Sequence, residues 1–232
     1  MPRIILVGGG SSSGKTYVTK AVLDALGSDN FTRISMDDYY KCHTNLSMEE
    51  RAALNYDHPK AFDWKLMREQ VKALKNGQAI DKPIYDFVTH DRLPETERVE
   101  PSKVIVLEGI MALVYAEIRE MGDIKIFINA SPERRFLRRL LRDSNERGRS
   151  FESIVNQYFA TVAPMYGEIV EPSKQYADII VNNDGVENHA VDVLASLFLQ
   201  QIDLFDMRTE KIVLEKEVFN EEALASAFTK KE

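Results

Sequence analysis

The chain has 232 residues, 30 of them Lys or Arg and 37 Asp or Glu, for a formal net charge of −7. At about 150 residues per domain, that length holds one large domain or one domain with a small appendage, and two full domains would be cramped. With 44% hydrophobic and 29% charged residues the composition is globular, which excludes a disordered or collagen-like chain, and the negative balance argues against a general nucleic-acid coat, whose affinity would rest on Lys and Arg neutralising phosphates.

Short apolar runs alternate with longer segments of helical period, the pattern of a parallel sheet flanked by helices. The first run, Ile4 to Val7, is predicted to be a buried strand. It is shorter than the roughly 7–15 residues of a signal-peptide core. A helix is expected over Lys15 to Leu26 with Gly27 as its stop, then a strand over Phe31 to Ser35. Cys42 is the only cysteine, so no internal disulfide can form, and with four histidines structural zinc is not indicated. A reducing, cytoplasmic setting is expected. Asp63 reads as the N-cap of a helix that runs to Lys75 and stops at Gly77.

From Asp81 to Pro101 the alternation breaks, with Pro83, Tyr85, Phe87 and Pro94, and a hairpin-like insertion on top of the sheet is expected. Strands follow at Val104 to Leu107, Ile124 to Ile128 and Ala177 to Val181. Helices are expected over Pro132 to Arg142, capped by Ser131, over Ile154 to Met165, and over Asn188 to Leu204. No stretch approaches the roughly 18 apolar residues of a membrane span, so neither a membrane nor nucleic acid is an expected partner. The expected organisation is one domain over residues 1–205 and an extension of unassigned role over 206–232, with strand-like Ile212, Val213 and Leu214 and a short acidic helix beginning near Asn220.

Directly after the first strand comes Gly9-Gly10-Ser11-Ser12-Ser13-Gly14-Lys15-Thr16, which satisfies the G-x-x-x-x-G-K-[ST] pattern of a phosphate-binding loop in the strand–loop–helix context it requires. Gly9 and Gly14 let the backbone curl so that successive N–H groups face a polyphosphate, and the following helix offers its positive end there. Lys15 supplies a charge for the β and γ phosphates and the Thr16 hydroxyl can ligate Mg²⁺. Binding of a nucleoside triphosphate, ATP or GTP, is therefore expected, and the loop by itself does not say whether the γ phosphate goes to water or to another molecule.

Ligands of open parallel sheets bind beyond the carboxyl ends of the strands. Asp37 follows the second strand and Glu108 ends the third. Glu108, after four apolar residues, suits a Mg²⁺-holding acid, while Asp37 could accept the proton of an attacking hydroxyl and help hold the metal. On the residues alone Asp37 and Asp38 read equally well as a helix cap or a solvated loop acid, and Asp38 keeps that reading. Tyr85 and Phe87, two apart on a strand, would face one side and suit a flat base, although on the residues alone a small core under the hairpin is favoured. His90 alone is more often a surface histidine than a ligand. Arg134, Arg135, Arg138, Arg139, Arg142, Arg147 and Arg149 concentrate positive charge, with Gly148 as a flexible joint in a lid over about 142–152.

Several separated blocks stand in one order: the phosphate loop, Asp37 to Tyr40, Asn55 to Pro59 with Ala61 to Asp63, Pro83 to Arg92, Leu107 to Ile110, Arg138 to Arg149, Gln157-Tyr158, and Glu171 to Lys174. In these blocks, from about residue 3 to 200, the chain resembles the uridine/cytidine kinase family within the P-loop nucleoside and phosphoribulokinase-like group. The resemblance implies an α/β P-loop NTPase-type fold with a hairpin insertion and an arginine-rich lid. It implies γ-phosphate transfer to the 5′-hydroxyl of uridine or cytidine with Mg²⁺, in pyrimidine salvage, by a homo-oligomer, a homotetramer.

By the same resemblance Asp37 is the general base and Tyr40 lines its pocket. Asp57 holds the ribose 2′ and 3′ hydroxyls with Arg139 and Gln157 assisting. Tyr85 and His90 address the pyrimidine edge, Tyr56, Phe87 and Arg149 pack on the base, and Arg142 and Arg147 close over the phosphates. Asn129, and Asn182 to Gly185 after the fifth strand, depart from the family pattern, which leaves ATP against GTP open. Two other readings remain: a related kinase for a sugar phosphate or pantothenate, and a non-catalytic, nucleotide-dependent RNA-binding switch.

Overall fold

In the first strand Ile4 and Leu6 alternate with Ile5 and Val7, and all four are apolar, so each face of the strand must be covered. The structure, a computed structural model, describes residues 1–185 and 189–218 and shows that arrangement. Ile4 and Leu6 enter a core with Ile34, Met67, Val71 and Phe127 on one face of the sheet, and Ile5 and Val7 enter another with Val18, Val22, Leu194 and Phe198.

The main sheet is parallel, in the order β2 (Phe31–Ser35), β5 (Val104–Glu108), β1 (Arg3–Gly8), β6 (Ile124–Asn129), β7 (Ile179–Asn182). Val7 and Ser35 both stand in register with Glu108. The carboxyl ends of β1, β2 and β5 therefore finish level, which brings the segments that follow them to one edge of the sheet. A separate antiparallel hairpin, β3 (Ile80–Asp86) and β4 (Asp91–Val99), is the expected insertion.

Helices α1 (Lys15–Leu26) and α8 (His189–Val218) cover one face. On the other, α3 (Trp64–Lys75) contributes Met67, Val71 and Leu74. Asp63 caps α3 by accepting from the Leu66 N–H, and Ser131 caps α5 (Pro132–Glu146) by accepting from Arg134, with Pro132 in its first turn. Short helices α2 (Met48–Ala52), α4 (Ala116–Arg119) and α7 (Ala163–Met165) complete the set with α6 (Phe151–Gln157).

Four expectations are corrected. The helix expected over Ile154 to Met165 begins earlier, at Phe151 behind its Ser150 cap, and passes after Gln157 into wide π turns at Tyr158–Val162 and Tyr166–Val170. Pro164 has no N–H for the carbonyl four residues back, which breaks the regular ladder there. Helix α5 runs on to Glu146, so half of the expected lid is the end of a helix and the joint is confined to the residues around Gly148, at φ +62°. The last strand starts at Ile179, because Ala177 still closes the turn of Glu171–Tyr176. Ile212 to Leu214 lie within α8, not in a strand; strong helix formers on both sides of them carry the helix through. The helix expected near Asn220 lies outside the described residues.

Candidate active site

The loop after β1 curls where its glycines permit. Gly9 has φ +141° and Gly14 +96°; a Cβ would stand 2.3 Å from the Ile128 carbonyl oxygen at the first and 2.2 Å from Asn183 Nδ2 at the second. Neither position accepts a side chain without moving backbone or a neighbour that is itself engaged, since Asn183 donates to the Ser13 carbonyl at 2.8 Å. Lys15 is 8% exposed, and its Nζ donates to the carbonyls of Gly9 and Gly10 at 3.0 and 2.8 Å. Burial lowers its pKa to about 8 against the opposing pull of Glu108 and Asp37. The hydroxyls of Ser12 and Ser13 are buried and without a hydrogen-bond partner among the described residues.

Two clefts meet at this edge of the sheet. One, of about 1040 Å³, is lined by Ser11, Ser12, Gly14, Lys15, Thr16, Asp37, Glu108, Arg138 and Arg142, among others. The other, of about 550 Å³, is lined by Asp37, Tyr40, Tyr56, Asp57, Tyr85, Phe87, His90, Arg139, Arg142, Arg147, Arg149 and Gln157, together with Ser11 and Ile110. Every acceptor-side residue named from the sequence is in that second wall. Gly9, Gly10 and Ser13 line neither cleft: the two glycines supply the carbonyls that hold Lys15, and the Ser13 side chain points into the interior. Asp37 and Arg142 belong to both walls.

Asp37 sits in the single turn Met36–Tyr39 at the end of β2. Burial raises its pKa above the ordinary carboxylate value, against the pull of Lys15 and Arg147. Glu108 is 2% exposed; Arg33 of β2 donates from Nε and Nη2 to its Oε1, leaving Oε2 buried without a hydrogen-bond partner among the described residues. Asp38 is neither a cap nor solvated, because it pairs with Lys82 and accepts from the Tyr85 N–H, tying the turn that carries Asp37 to the hairpin.

The far wall is aromatic. Tyr40 meets Phe62, Tyr85 and Tyr56 at centroid distances of 4.4, 5.0 and 5.2 Å, and His90 stacks on Tyr56 at 5.5 Å. Tyr85 and Phe87 do not share a strand face as expected. A bulge falls between Pro83 and Tyr85, β3 ends at Asp86, and Phe87 lies in the turn, meeting Tyr85 edge-on at 5.3 Å. His90 closes the same turn with φ +52°. Burial, then Arg149 and Arg147, lower its pKa, so its imidazole is neutral at pH 7 and offers one donor and one acceptor. Asp57, 9% exposed, has its pKa raised by burial, with Arg139 as the first opposing charge.

The arginines divide. Arg134 is exposed. Arg135 lies 3.6 Å over the Tyr166 ring and donates to the Ala130 carbonyl, while Arg138 donates to the carbonyls of Ser13 and Asn183 and so braces the phosphate loop. Arg139 donates to Ser11 and Gln157, Arg149 to Gln157 and Ser153, and Arg147 lies 3.9 Å over Phe87. Two charged residues of this edge went unnoticed in the sequence, Arg33 and Asp143. The spacing of Asp143, four residues from Arg139 and four from Arg147, was the available signal for the second.

A parallel sheet whose first strand runs into a phosphate loop, with a carboxylate between that loop and a second, aromatic cleft, defines a phosphotransferase of the P-loop class. The chain belongs to the phosphoribulokinase/uridine kinase family, whose model matches residues 4–190. It is 46% identical over 196 residues to a uridine kinase of Lactobacillus johnsonii, covering 84% of this chain and 93% of that one. It is 47% identical over 195 residues to a uridine kinase of Chloroflexus aurantiacus, covering 84% and 93%. Among solved structures it shares the fold of the phosphoribulokinase of Rhodobacter spheroides, with a TM-score of 0.60 at 15% identity over 78% of this chain and 70% of that one.

Proposed function

We propose that this enzyme transfers the γ-phosphate of ATP or GTP to the 5′-hydroxyl of uridine or cytidine, giving UMP or CMP. The observation that carries the proposal is that Asp37 stands on the wall shared by the phosphate-loop cleft and the aromatic cleft. A carboxylate there can face an alcohol from one side and a terminal phosphate from the other. In the reaction the new bond joins the 5′-oxygen to the γ-phosphorus while the bond to the nucleoside diphosphate breaks. The transition state is loose, so Asp37 acts chiefly by aligning the hydroxyl and takes its proton late.

Lys15 and the loop amides hold the β and γ phosphates, and Arg142 and Arg147 approach the transferring group. Mg²⁺ fits the residues present: among the described residues Glu108 keeps one buried carboxylate oxygen without a hydrogen-bond partner, beside Thr16 and Asp37 in the cleft wall. Among the described residues no group of three or more His, Cys, Asp or Glu could hold a metal ion. Mg²⁺ needs no such cage, since one or two carboxylates plus substrate phosphates suffice, and when bound it neutralises charge on the β and γ oxygens. Asp57, with Arg139 and Gln157, takes the ribose hydroxyls. Tyr56, Phe87 and Arg149 enclose the base, and Tyr85 and the neutral His90 address its edge. Either imidazole tautomer can form, which suits both uracil and cytosine.

A sugar phosphate or pantothenate offers no face to this aromatic wall. An RNA-binding stripe would present its arginines outward, whereas Arg139, Arg147 and Arg149 turn theirs into the cleft. The setting we propose is cytoplasmic; no helix among the described residues is long and apolar enough to cross a membrane. For a homo-oligomer, taken as a homotetramer, the exposed Leu137, Leu141 and Phe151 on α5 and α6 supply apolar surface.

The test is ADP or GDP release with a panel of acceptors. Uridine and cytidine should stimulate release at least about tenfold over the nucleoside-free rate, while sugar phosphates and pantothenate should not; the reverse pattern overturns the assignment. A pH profile provides a second check. Lys15 carries its charge only below about 8, so kcat/KM for the triphosphate should fall as pH rises through that value. Lys15→Arg, slower but always charged, should lack that limb. Asp37 must be deprotonated to accept a proton, and its pKa is raised, so the acid limb should lie above the ordinary carboxylate range.

A further inference from the structure

Asp143 is wholly buried on α5, belongs to neither cleft wall, and is met by the guanidinium groups of Arg139, Arg142, Arg147 and Arg149. We infer that Asp143 is a positioning residue for the transfer, a single carboxylate that sets the arginines of the phosphate side and of the nucleoside side in one constellation. This rests on the phosphotransfer reading above and adds to it a residue that touches no reactant.

The two carboxylate oxygens serve different arginines. Oδ1 receives Arg142, with Nη2 at 2.7 Å and Nε at 2.8 Å, and Arg147 at 3.4 Å. Oδ2 stands 3.5 Å from Arg139 Nε and 3.8 Å from Arg149 Nη1, and among the described residues it has no hydrogen bond. Arg142, which lines both clefts, and Arg147, which lies over Phe87 in the acceptor cleft, are thus held on one oxygen. Arg139 and Arg149 are held on the other by charge at longer range, and their N–H groups reach Gln157 and Ser11 in the acceptor cleft.

The backbone takes part in the same junction. The Arg149 N–H donates to the Asp143 carbonyl at 3.1 Å, and Gly148 supplies the left-handed turn between Arg147 and Arg149. Four guanidinium groups this close repel one another, and one anion at their centre is what lets them converge. Because the anion is outnumbered, the cluster keeps a positive excess to meet the triphosphate. Loss of the charge at position 143 would let the arginines spread, and a displacement of about 1 Å at such groups can cost about 10²-fold in rate.

The experiment uses the full chain with Asp143→Asn, which keeps shape and removes charge, alone and combined with Arg147→Ala. Thermal midpoints report whether each variant is folded. The expected result is a folded Asp143→Asn protein with kcat for uridine lowered about 10–10²-fold, a raised uridine KM, and more than one nucleoside diphosphate released per UMP formed. In the Arg147→Ala background the same change should cost about threefold less than in the parent, because one of the four groups it positions is gone and three remain.

A merely structural role predicts the same fold loss in both backgrounds, and that result overturns the inference, as does wild-type kcat and KM in Asp143→Asn. If the Asn variant does not fold, Asp143→Glu, which moves the charge one methylene further out, takes its place: a loss of kcat that shrinks in the Arg147→Ala background supports the inference, and an equal fold loss in both backgrounds overturns it. Failure of the underlying reading looks different: the unmutated chain would then show no uridine-dependent release.

Discussion

Asp37→Asn should bind the triphosphate as the parent does and turn over about 10²–10⁴-fold more slowly, the usual cost of removing a positioned base. Affinity is expected to survive because the phosphates are held by the loop amides and Lys15, whose Nζ lies within the curl of Gly9 and Gly10. Turnover is expected to fall because asparagine cannot accept the hydroxyl's proton and its amide can present a donor where an acceptor is needed. The measurement is a titration of ATP or GTP binding beside single-turnover rates with uridine. A variant with parent rates would remove Asp37 from the chemistry and leave it a structural acid.

The second large effect is discrimination against 2′-deoxyuridine, with kcat/KM lower than for uridine by about 10²–10⁴-fold. Asp57 is recessed in the acceptor cleft, and its desolvation, only partly offset by Arg139, raises its pKa. A ribose satisfies such a carboxylate with two hydroxyls. A deoxyribose leaves one oxygen desolvated and unpaired, and missing partners at buried polar groups give the strongest selectivity, up to about 10⁴–10⁵. Asp57→Ala should therefore lower the rate with uridine towards that with 2′-deoxyuridine and shrink the ratio between them to below about tenfold. An undiminished ratio in that variant would place the discrimination elsewhere in the cleft.

Much of this site was legible because its signals are local. The phosphate loop depends on the order of eight consecutive residues, Gly9 to Thr16, and on the strand and helix that flank it. The N-caps of α3 and α5 and the doubly buried strands are likewise properties of short stretches. Phe87 was misplaced on the strand because pairing stops at Asp86, and no turn residue between there and His90 marks that end in the sequence. Ile212 to Leu214 look like a strand in isolation and are helical because their neighbours are.

The sequence by itself determined the chemistry available: a cradle for a triphosphate, acids at the ends of the runs Phe31 to Ser35 and Val104 to Leu107, an aromatic insertion and a run of arginines. Only the tertiary structure decided who meets whom. The strand order β2-β5-β1 sets Arg33 against Glu108, and Lys82 and Asp38 tie the hairpin to the turn of Asp37. These contacts join residues far apart in the chain, and no local preference encodes them. They follow from strand register and from the requirement that charges removed from water find partners.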